Sequence, residues 1–147
     1  MSIICIGTSE AMVLTVLLDL NNGKVDDAVA PFAEEFSFKD HGLGLEFKDK
    51  KQLTEFFNKT RELYPDATWE TEKVFLSDEN VIVAWTLRFT LLEPFYGSLS
   101  RKLQVAVEGI SIARIADDKI DEWTDYYDGL SSRRTALAFH FTEWVEL

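Results

Sequence analysis

The sequence has 147 residues, a formal net charge of -11 and 46% hydrophobic residues. This length fits one domain, residues 1–147, with a single substantial core, and the composition excludes a disordered chain. The acidic balance repels nucleic acid and anionic membrane surfaces at long range, so we expect neither as a partner and favour a small hydrophobic molecule.

Helical spacing of apolar residues marks three segments in the first half of the chain. The predicted helices cover residues 8–20, 25–33 and 49–64. Gly23 separates the first two, because glycine disfavours a continued helix. Pro65 ends the third, since a proline restricts the residue before it to extended conformations. Between the second and third helices, a short strand carries Phe36, Phe38 and Asp40 on one face.

After Ala67 the apolar period changes from that of a helix to that of a strand. Four strands are predicted, over residues 68–76, 81–92, 101–115 and 119–128. The short connections between them indicate antiparallel pairing. A last helix is predicted over residues 131–143, where it would cover an open end of the sheet.

Helices, strands and a closing helix are segregated along the chain, which is typical of the α+β class. Long twisted strands curl, so we expect a cone-shaped, curved antiparallel sheet with the N-terminal helices across its concave face and a short C-terminal helix. The mouth of such a cone is a favoured ligand site.

The strand at 119–128 places a carboxylate among aromatic rings. Trp123, Asp125 and Tyr127 share one face by the two-residue period. If this face is buried, Asp125 needs a hydrogen-bond or charge partner. We expect Asp125 to be the acid/base group of any reaction, with Trp123 and Tyr127 as core aromatics that also contact a ligand.

A partner for Asp125 is sought on the strand at 81–92. One face of that strand is wholly apolar, with Val83, Trp85, Leu87 and Phe89 among its residues, and the other carries Arg88 and Thr90. We assign the apolar face to a homodimer interface and the mixed face to the pocket wall. Arg88 would then hydrogen-bond Asp125 or hold a substrate oxygen, although a purely structural ion pair remains open.

The hairpin between the last two strands sets which residues face Asp125. A simple two-residue turn places Ile110 opposite Asp125 and adds Ile110 to the ligand-binding face, whereas a bulge would shift this pairing. The same turn pairs Arg114 with Asp121 at the rim. Asp40 stands at a strand end before glycines, where it is either a turn-forming residue or a second acid/base group at the cavity mouth.

Three stretches carry a family resemblance: Leu20-Asn21-Asn22-Gly23-Lys24, Pro31 to Phe38, and Gly109 to Asp128. They are similar to the SnoaL-like branch of the nuclear transport factor 2-like superfamily. The resemblance covers nearly the whole chain and implies an α+β cone, usually a homodimer packed through its sheet. The superfamily includes polyketide cyclases, ketosteroid isomerases, limonene epoxide hydrolases and members that only bind or dimerise.

The resemblance also implies roles for single residues. Asp125 matches the inner aspartate of the Asp-Arg-Asp set of limonene epoxide hydrolases, and Arg88 matches its arginine. The second aspartate falls at Thr90. The water-positioning tyrosine and asparagine fall at Phe38 and Asp40, and Phe38 has no acceptor for water. We expect Phe38 and Thr90 to contact the ligand instead. These departures disfavour epoxide hydrolysis. In SnoaL-like cyclases and ketosteroid isomerases one carboxylate moves a proton next to a carbonyl, which Asp125 or Asp40 would do here.

The sequence thus leaves two functional classes open. One is an acid/base enzyme that needs no cofactor, with Asp125, Arg88 and Asp40 as catalytic residues. The other is a non-catalytic ligand-binding or dimerisation domain. With one cysteine, two histidines and no metal-ligand spacing, no metal site is expected. No stretch resembles a signal peptide or a membrane span, so we expect a cytoplasmic protein.

Overall fold

A computed structural model describes residues 7–96 and 99–129. Within these ranges the secondary structure is α1 (Thr8–Asn21), α2 (Val25–Val29), β1 (Phe32–Asp40), β2 (Leu45–Phe47), α3 (Lys50–Leu63), β3 (Thr68–Ser77), β4 (Asn80–Tyr96), β5 (Leu99–Ala116) and β6 (Lys119–Tyr127). The helix predicted over residues 131–143 lies outside the described residues.

The described strands form one curved, unclosed sheet in the order β2-β1-β6-β5-β4-β3. The antiparallel meander from β3 to β6 agrees with the sequence prediction, and the α+β class is confirmed. Strand β1 pairs in parallel with β6, and the register sets Asp40 opposite Asp125. Two carboxylates that are 85 positions apart in the chain therefore lie on neighbouring strands.

The turn between β5 and β6 fixes the position of the candidate site. Asp117 and Asp118 both have positive φ angles, 52° and 60°, as a type I′ turn requires. The predicted two-residue turn is therefore present. A bulge then shifts the register between Arg114 and Ile115. Beyond the bulge Ser111, not Ile110, lies opposite Asp125. Because side chains alternate, this shift reverses the face that β5 turns towards the core.

Local signals explain how the two longer helices begin. At the start of α1, the backbone N–H of Gly7 donates to the carboxylate of Glu10. At the start of α3, the Asp49 carboxylate accepts from the backbone N–H groups of Lys51 and Gln52, which is a standard N-terminal cap. The end of α1 is tied to β3 because the Asn21 amide exchanges two hydrogen bonds with the backbone of Trp69.

The helices cover the inner face of the sheet, and the core lies between them. Val81, Val83 and Trp85 of β4 are buried there with residues of α1, α2, α3 and β1. The assignment of this apolar face to a homodimer interface is therefore wrong. The helices of the same chain already remove it from water, as the hydrophobic effect favours for the most apolar face of a strand.

The outer face of the sheet carries the alternate residues of each strand. Phe75, Ile110 and Tyr126 are among its large exposed apolar side chains. The register joins them through Ile82 and Ile112, since Phe75 pairs with Ile82, Ile82 with Ile112, and Ile110 with Tyr126. The ring of His41, at the end of β1, stacks on Tyr126. A continuous apolar strip thus crosses the outer face.

Candidate functional site

A cavity of about 170 Å³ opens between α3 and the inner face of the sheet. Its aromatic lining consists of Phe38, Phe56, Phe57, Tyr64, Trp69, Trp85, Phe89 and Tyr127. Asp40, Asp125 and Asp128 are the charged lining residues among those described. The combination of aromatic walls and a few polar groups at one end is typical of a small-molecule site.

Asp125 is the most perturbed carboxyl of this cavity. Its Oδ1 accepts hydrogen bonds from Ser111 Oγ at 2.5 Å and from Trp123 Nε1 at 2.7 Å. Burial raises the pKa of Asp125 to about 7, the two hydrogen bonds oppose that rise, and the neighbouring Asp40 adds to it. Asp125 is thus near its midpoint at neutral pH.

A glycine allows Trp85 to reach this group from the neighbouring strand. Gly109 lies opposite Trp85, and a Cβ atom at Gly109 would come within 2.5 Å of the indole ring. The ring therefore crosses β5, where Trp85 Nε1 donates to Ser111 Oγ at 2.8 Å. The absence of a side chain at Gly109 is what makes room for this contact.

Asp40 is both a turn-forming residue and a cavity residue. It is 5% exposed, and its Oδ1 accepts from the backbone N–H of Leu43 at 2.9 Å. Its side chain also lies beside the Tyr127 hydroxyl. Burial, followed by the interaction with Asp40, raises the pKa of Tyr127, so Tyr127 remains a neutral phenol. The two alternatives offered by the sequence for Asp40 are therefore not exclusive.

Arg88 is not part of the cavity, and its expected contact with Asp125 is wrong. Its side chain is 58% exposed on the outer face, where Nε lies 3.1 Å from a Glu70 carboxylate oxygen. The apolar face of β4, with Trp85 and Phe89, turns inward. The side chain of Arg88 therefore points to the opposite, outer face. Asp125 is half-buried, and among the described residues it has hydrogen-bond donors around it and no cation in contact with it.

Thr90 and Ile110 are also misplaced by the sequence prediction. The hydroxyl and backbone N–H of Thr90 donate to Asp66 on the outer side of the sheet. Ile110 is 38% exposed and belongs to the outer apolar strip. Both errors follow from the reversed faces of β4 and β5, so neither residue contacts the cavity.

Of the remaining predicted ligand-contacting residues, Phe38 and Tyr127 reach the cavity and Trp123 does not. Trp123 is buried behind it, with its ring stacked on Phe38. The predicted rim pair is present, with Arg114 donating to both oxygens of Asp121 at 2.9 and 2.8 Å. This bond lowers the pKa of Asp121.

Two participants, Ser111 and Trp85, were missed by the sequence interpretation. Ser111 is 1% exposed and stands between Gly109 and Ala113 on the inner face. A single hydroxyl within the small and apolar run from Gly109 to Ala113 was the available signal, since a buried hydroxyl needs a partner. The simple turn register concealed it by directing Ile110 inward.

The model of one protein family, the SnoaL-like polyketide cyclases, matches residues 11–135. The chain belongs to this family. A search of curated proteins finds no match. The family assignment confirms the SnoaL-like resemblance that the sequence stretches had indicated.

Solved structures show the same fold at low sequence identity. A SnoaL-like polyketide cyclase candidate from Shewanella putrefaciens CN-32 has a TM-score of 0.77 at 10% identity, covering 91% of this chain and 88% of its own. IdmH, a polyketide cyclase candidate from Streptomyces antibioticus, has a TM-score of 0.76 at 14% identity, and the match covers 88% of this chain and 99% of IdmH. TerC, co-crystallised with polyporic acid, has a TM-score of 0.69 at 14% identity, and the match covers 91% of this chain and 96% of TerC. At these identities the likeness is one of fold.

The described part of the family member contains no group of three or more His, Cys, Asp and Glu placed to hold a metal ion. Among residues 7–96 and 99–129, none of the helices has the length and hydropathy of a membrane span. The polar groups of the described cavity lining are carboxyls, hydroxyls and indole N–H groups.

Proposed function

We propose that this SnoaL-like protein is an acid/base enzyme that needs no cofactor and moves a proton next to the carbonyl group of a small, uncharged compound. The observation that supports this most is Asp125, a carboxyl in an aromatic cavity with its pKa raised to about 7. A general acid or base works best when its pKa is near the operating pH.

The reaction uses both protonation states of Asp125. The carboxylate takes a proton from the carbon next to the carbonyl, which leaves an enolate and a carboxylic acid. In an isomerisation, the acid returns that proton to another carbon. In an aldol cyclisation, the enolate carbon bonds to a second carbonyl carbon and the acid protonates the resulting alkoxide. Either sequence is balanced without an oxidant or a reductant.

The cavity limits the substrate by size and charge. Its volume of about 170 Å³ is close to that of an engineered cavity that holds one benzene ring. The only charged side chains among its described lining residues are acidic, so an anionic ligand would be repelled. A neutral ketone with one ring in the cavity, and any further part at the mouth near Asp128, fits these conditions.

Deuterium exchange tests this proposal without knowledge of the natural substrate. Acetophenone and cyclohexanone are incubated with the protein in D₂O, and loss of the α-proton signal is followed by NMR. Wild type should accelerate exchange. The exchange rate of Asp125→Asn should be lower by a factor of about 10² to 10⁴, the usual contribution of a positioned base. The matched control is Asp118→Asn, the same change at the exposed turn, which should exchange like wild type.

An equal exchange rate for Asp125→Asn and wild type would contradict the catalytic role. Binding of the ketones without any acceleration by wild type would instead support the alternative, a ligand-binding domain. The observation that favours this alternative is the absence of any Lys, Arg or His from the described cavity lining, since such groups commonly stabilise an enolate. Epoxide hydrolysis is disfavoured further, because Arg88 and Thr90 lie on the outer face.

We also infer a homodimer, now through the outer face of the sheet. Phe75, Ile110 and Tyr126 remain in contact with water in the single chain, and a contiguous apolar strip on a sheet favours association. Light scattering at micromolar concentration should give a dimer for wild type and a monomer for Ile110→Glu. Leu18→Glu, at an exposed apolar position on α1, should remain a dimer. A monomeric wild type would contradict this inference.

A further inference from the structure

The hydrogen bonds around Asp125 have a fixed direction. An indole N–H only donates, so the Ser111 hydroxyl accepts from Trp85 Nε1 and must direct its own hydrogen elsewhere. That hydrogen points to Asp125 Oδ1, which also accepts from Trp123 Nε1. The order Trp85 to Ser111 to Asp125 therefore runs one way, and all four groups belong to the inner face of β4, β5 and β6.

The two carboxyl oxygens of Asp125 are consequently different. A carboxyl oxygen has two lone-pair positions for hydrogen bonds, and both positions on Oδ1 are taken by donors. A proton on Oδ1 would have to displace one of them. None of the side chains that the structure describes donates a hydrogen bond to Oδ2, and Asp125 lines the cavity.

We propose that Ser111 is a positioning residue that, together with Trp123, confines the exchangeable proton of Asp125 to Oδ2 and couples Asp125 to Trp85. The catalytic meaning of this inference rests on the proposed function, whereas the coupling itself does not. Ser111 touches no substrate in this scheme. It acts through Asp125, by holding one oxygen so that the other takes and returns the proton.

Other titratable groups face the same carboxyl, and their titration must be distinguished from that of Asp125. Asp40 lies opposite Asp125 on β1, Tyr127 is two positions further along β6, and Asp128 lines the same cavity. None of them replaces the direct contact of Ser111 with Oδ1. A test must therefore read the hydrogen-bonded neighbours of Asp125 one by one, which the indole N–H groups allow.

The test is a pH titration of the tryptophan indole N–H resonances by ¹H–¹⁵N NMR in the ligand-free protein. The sequence has four tryptophans, so the signals are assigned with single Trp→Phe variants. Ionisation of Asp125 strengthens the hydrogen bonds it accepts. The Trp123 and Trp85 resonances of wild type should therefore both shift with one midpoint near pH 7, the Trp85 resonance through Ser111. Trp69, which lines the cavity without contacting Asp125, is the internal reference.

Ser111→Ala should separate the two signals. Trp123 should still titrate, at a midpoint moved upward by about one pH unit because a hydrogen bond to the carboxylate is lost, and Trp85 should no longer respond. Ser111→Thr, which keeps the hydroxyl, should restore the Trp85 response. Should Ser111→Ala not fold, Ser111→Gly removes the same hydroxyl.

Two further variants test whether the indole signals report on Asp125. In Asp125→Asn neither indole signal should titrate near pH 7. In Asp40→Asn both should titrate together at a lower pH, since a neighbouring negative charge is gone. A Trp85 signal that does not titrate in wild type, or that still titrates in Ser111→Ala, would overturn the inference. Because no substrate is present, these results are independent of whether the ketone exchange experiment succeeds.

Discussion

Both faces of the central strands carry carboxyl groups, but those on the outer face are exposed to water and those on the inner face are largely removed from it. On the outer face, Arg88 and Glu70 form an ion pair with both side chains more than half exposed. On the inner face, Asp125 is held by a serine and a tryptophan, with a second carboxylate, Asp40, beside it. The pKa of Asp125 is raised to about 7.

This difference shows what makes a carboxyl useful for proton transfer at neutral pH. An exposed ion pair in water gains little energy and keeps both groups charged. Burial without a cation disfavours the charged form, and a limited number of donors prevents the carboxyl from remaining permanently neutral. The inner face supplies both conditions, so function is expected there and solvation or association on the outer face.

Substitutions on the two faces should differ most in their effect on stability. Leu103 of β5 is 3% exposed and Leu92 of β4 is 62% exposed. Leu103→Ala should lower the free energy of unfolding by about 2 to 5 kcal/mol, as buried leucines do. Leu92→Ala should change it by less than about 1 kcal/mol. Urea unfolding measures both, and equal losses would show that the two faces are not buried as described.

A smaller effect is the pH dependence of stability. The pKa of Asp125 is raised from 3.8 to about 7, so the folded protein binds more protons than the unfolded chain between those values. The contribution of Asp125 to the free energy of unfolding therefore decreases as pH rises through this window, by at most about 4 kcal/mol. Asp125→Asn should lack this decrease.

Urea unfolding at pH 5 and pH 8 measures the change. Relative to wild type, Asp125→Asn should be more stable at pH 8 than at pH 5. The control Asp118→Asn should follow wild type at both values, because Asp118 is exposed at the turn. A constant difference between Asp125→Asn and wild type at the two pH values would mean that Asp125 titrates alike in the folded and unfolded chains.

Periodicity predicted much of the fold. The boundaries of α1, α3 and the four strands from β3 to β6 are close to those expected, because the apolar period changes abruptly between Leu63 and Thr68. The short strand β2 was not predicted, since its three residues are too few to show a period. Nor was the parallel pairing of β1 with β6, because partners so far apart in the chain leave no local signal.

The site was predicted in part. The stripe of Trp123, Asp125 and Tyr127 was found because alternation within one strand is local. The partners of Asp125 were not found, because they depend on a bulge between Arg114 and Ile115 that shifts the register by one residue. A different error, in the choice of face, placed Arg88 inside. A mixed face was interpreted as a pocket wall, although the wholly apolar face gains more from burial.

A measured pKa of Asp125 would show directly whether this carboxyl is suited to proton transfer at neutral pH. Aspartate labelled with ¹³C at the side-chain carboxyl would be titrated by NMR, with the Asp125 signal assigned from its loss in Asp125→Asn. We expect a midpoint near pH 7, well above the ordinary aspartate value of about 4. A midpoint near 4 for Asp125 would contradict both the removal of this carboxyl from water and its proposed role in proton transfer.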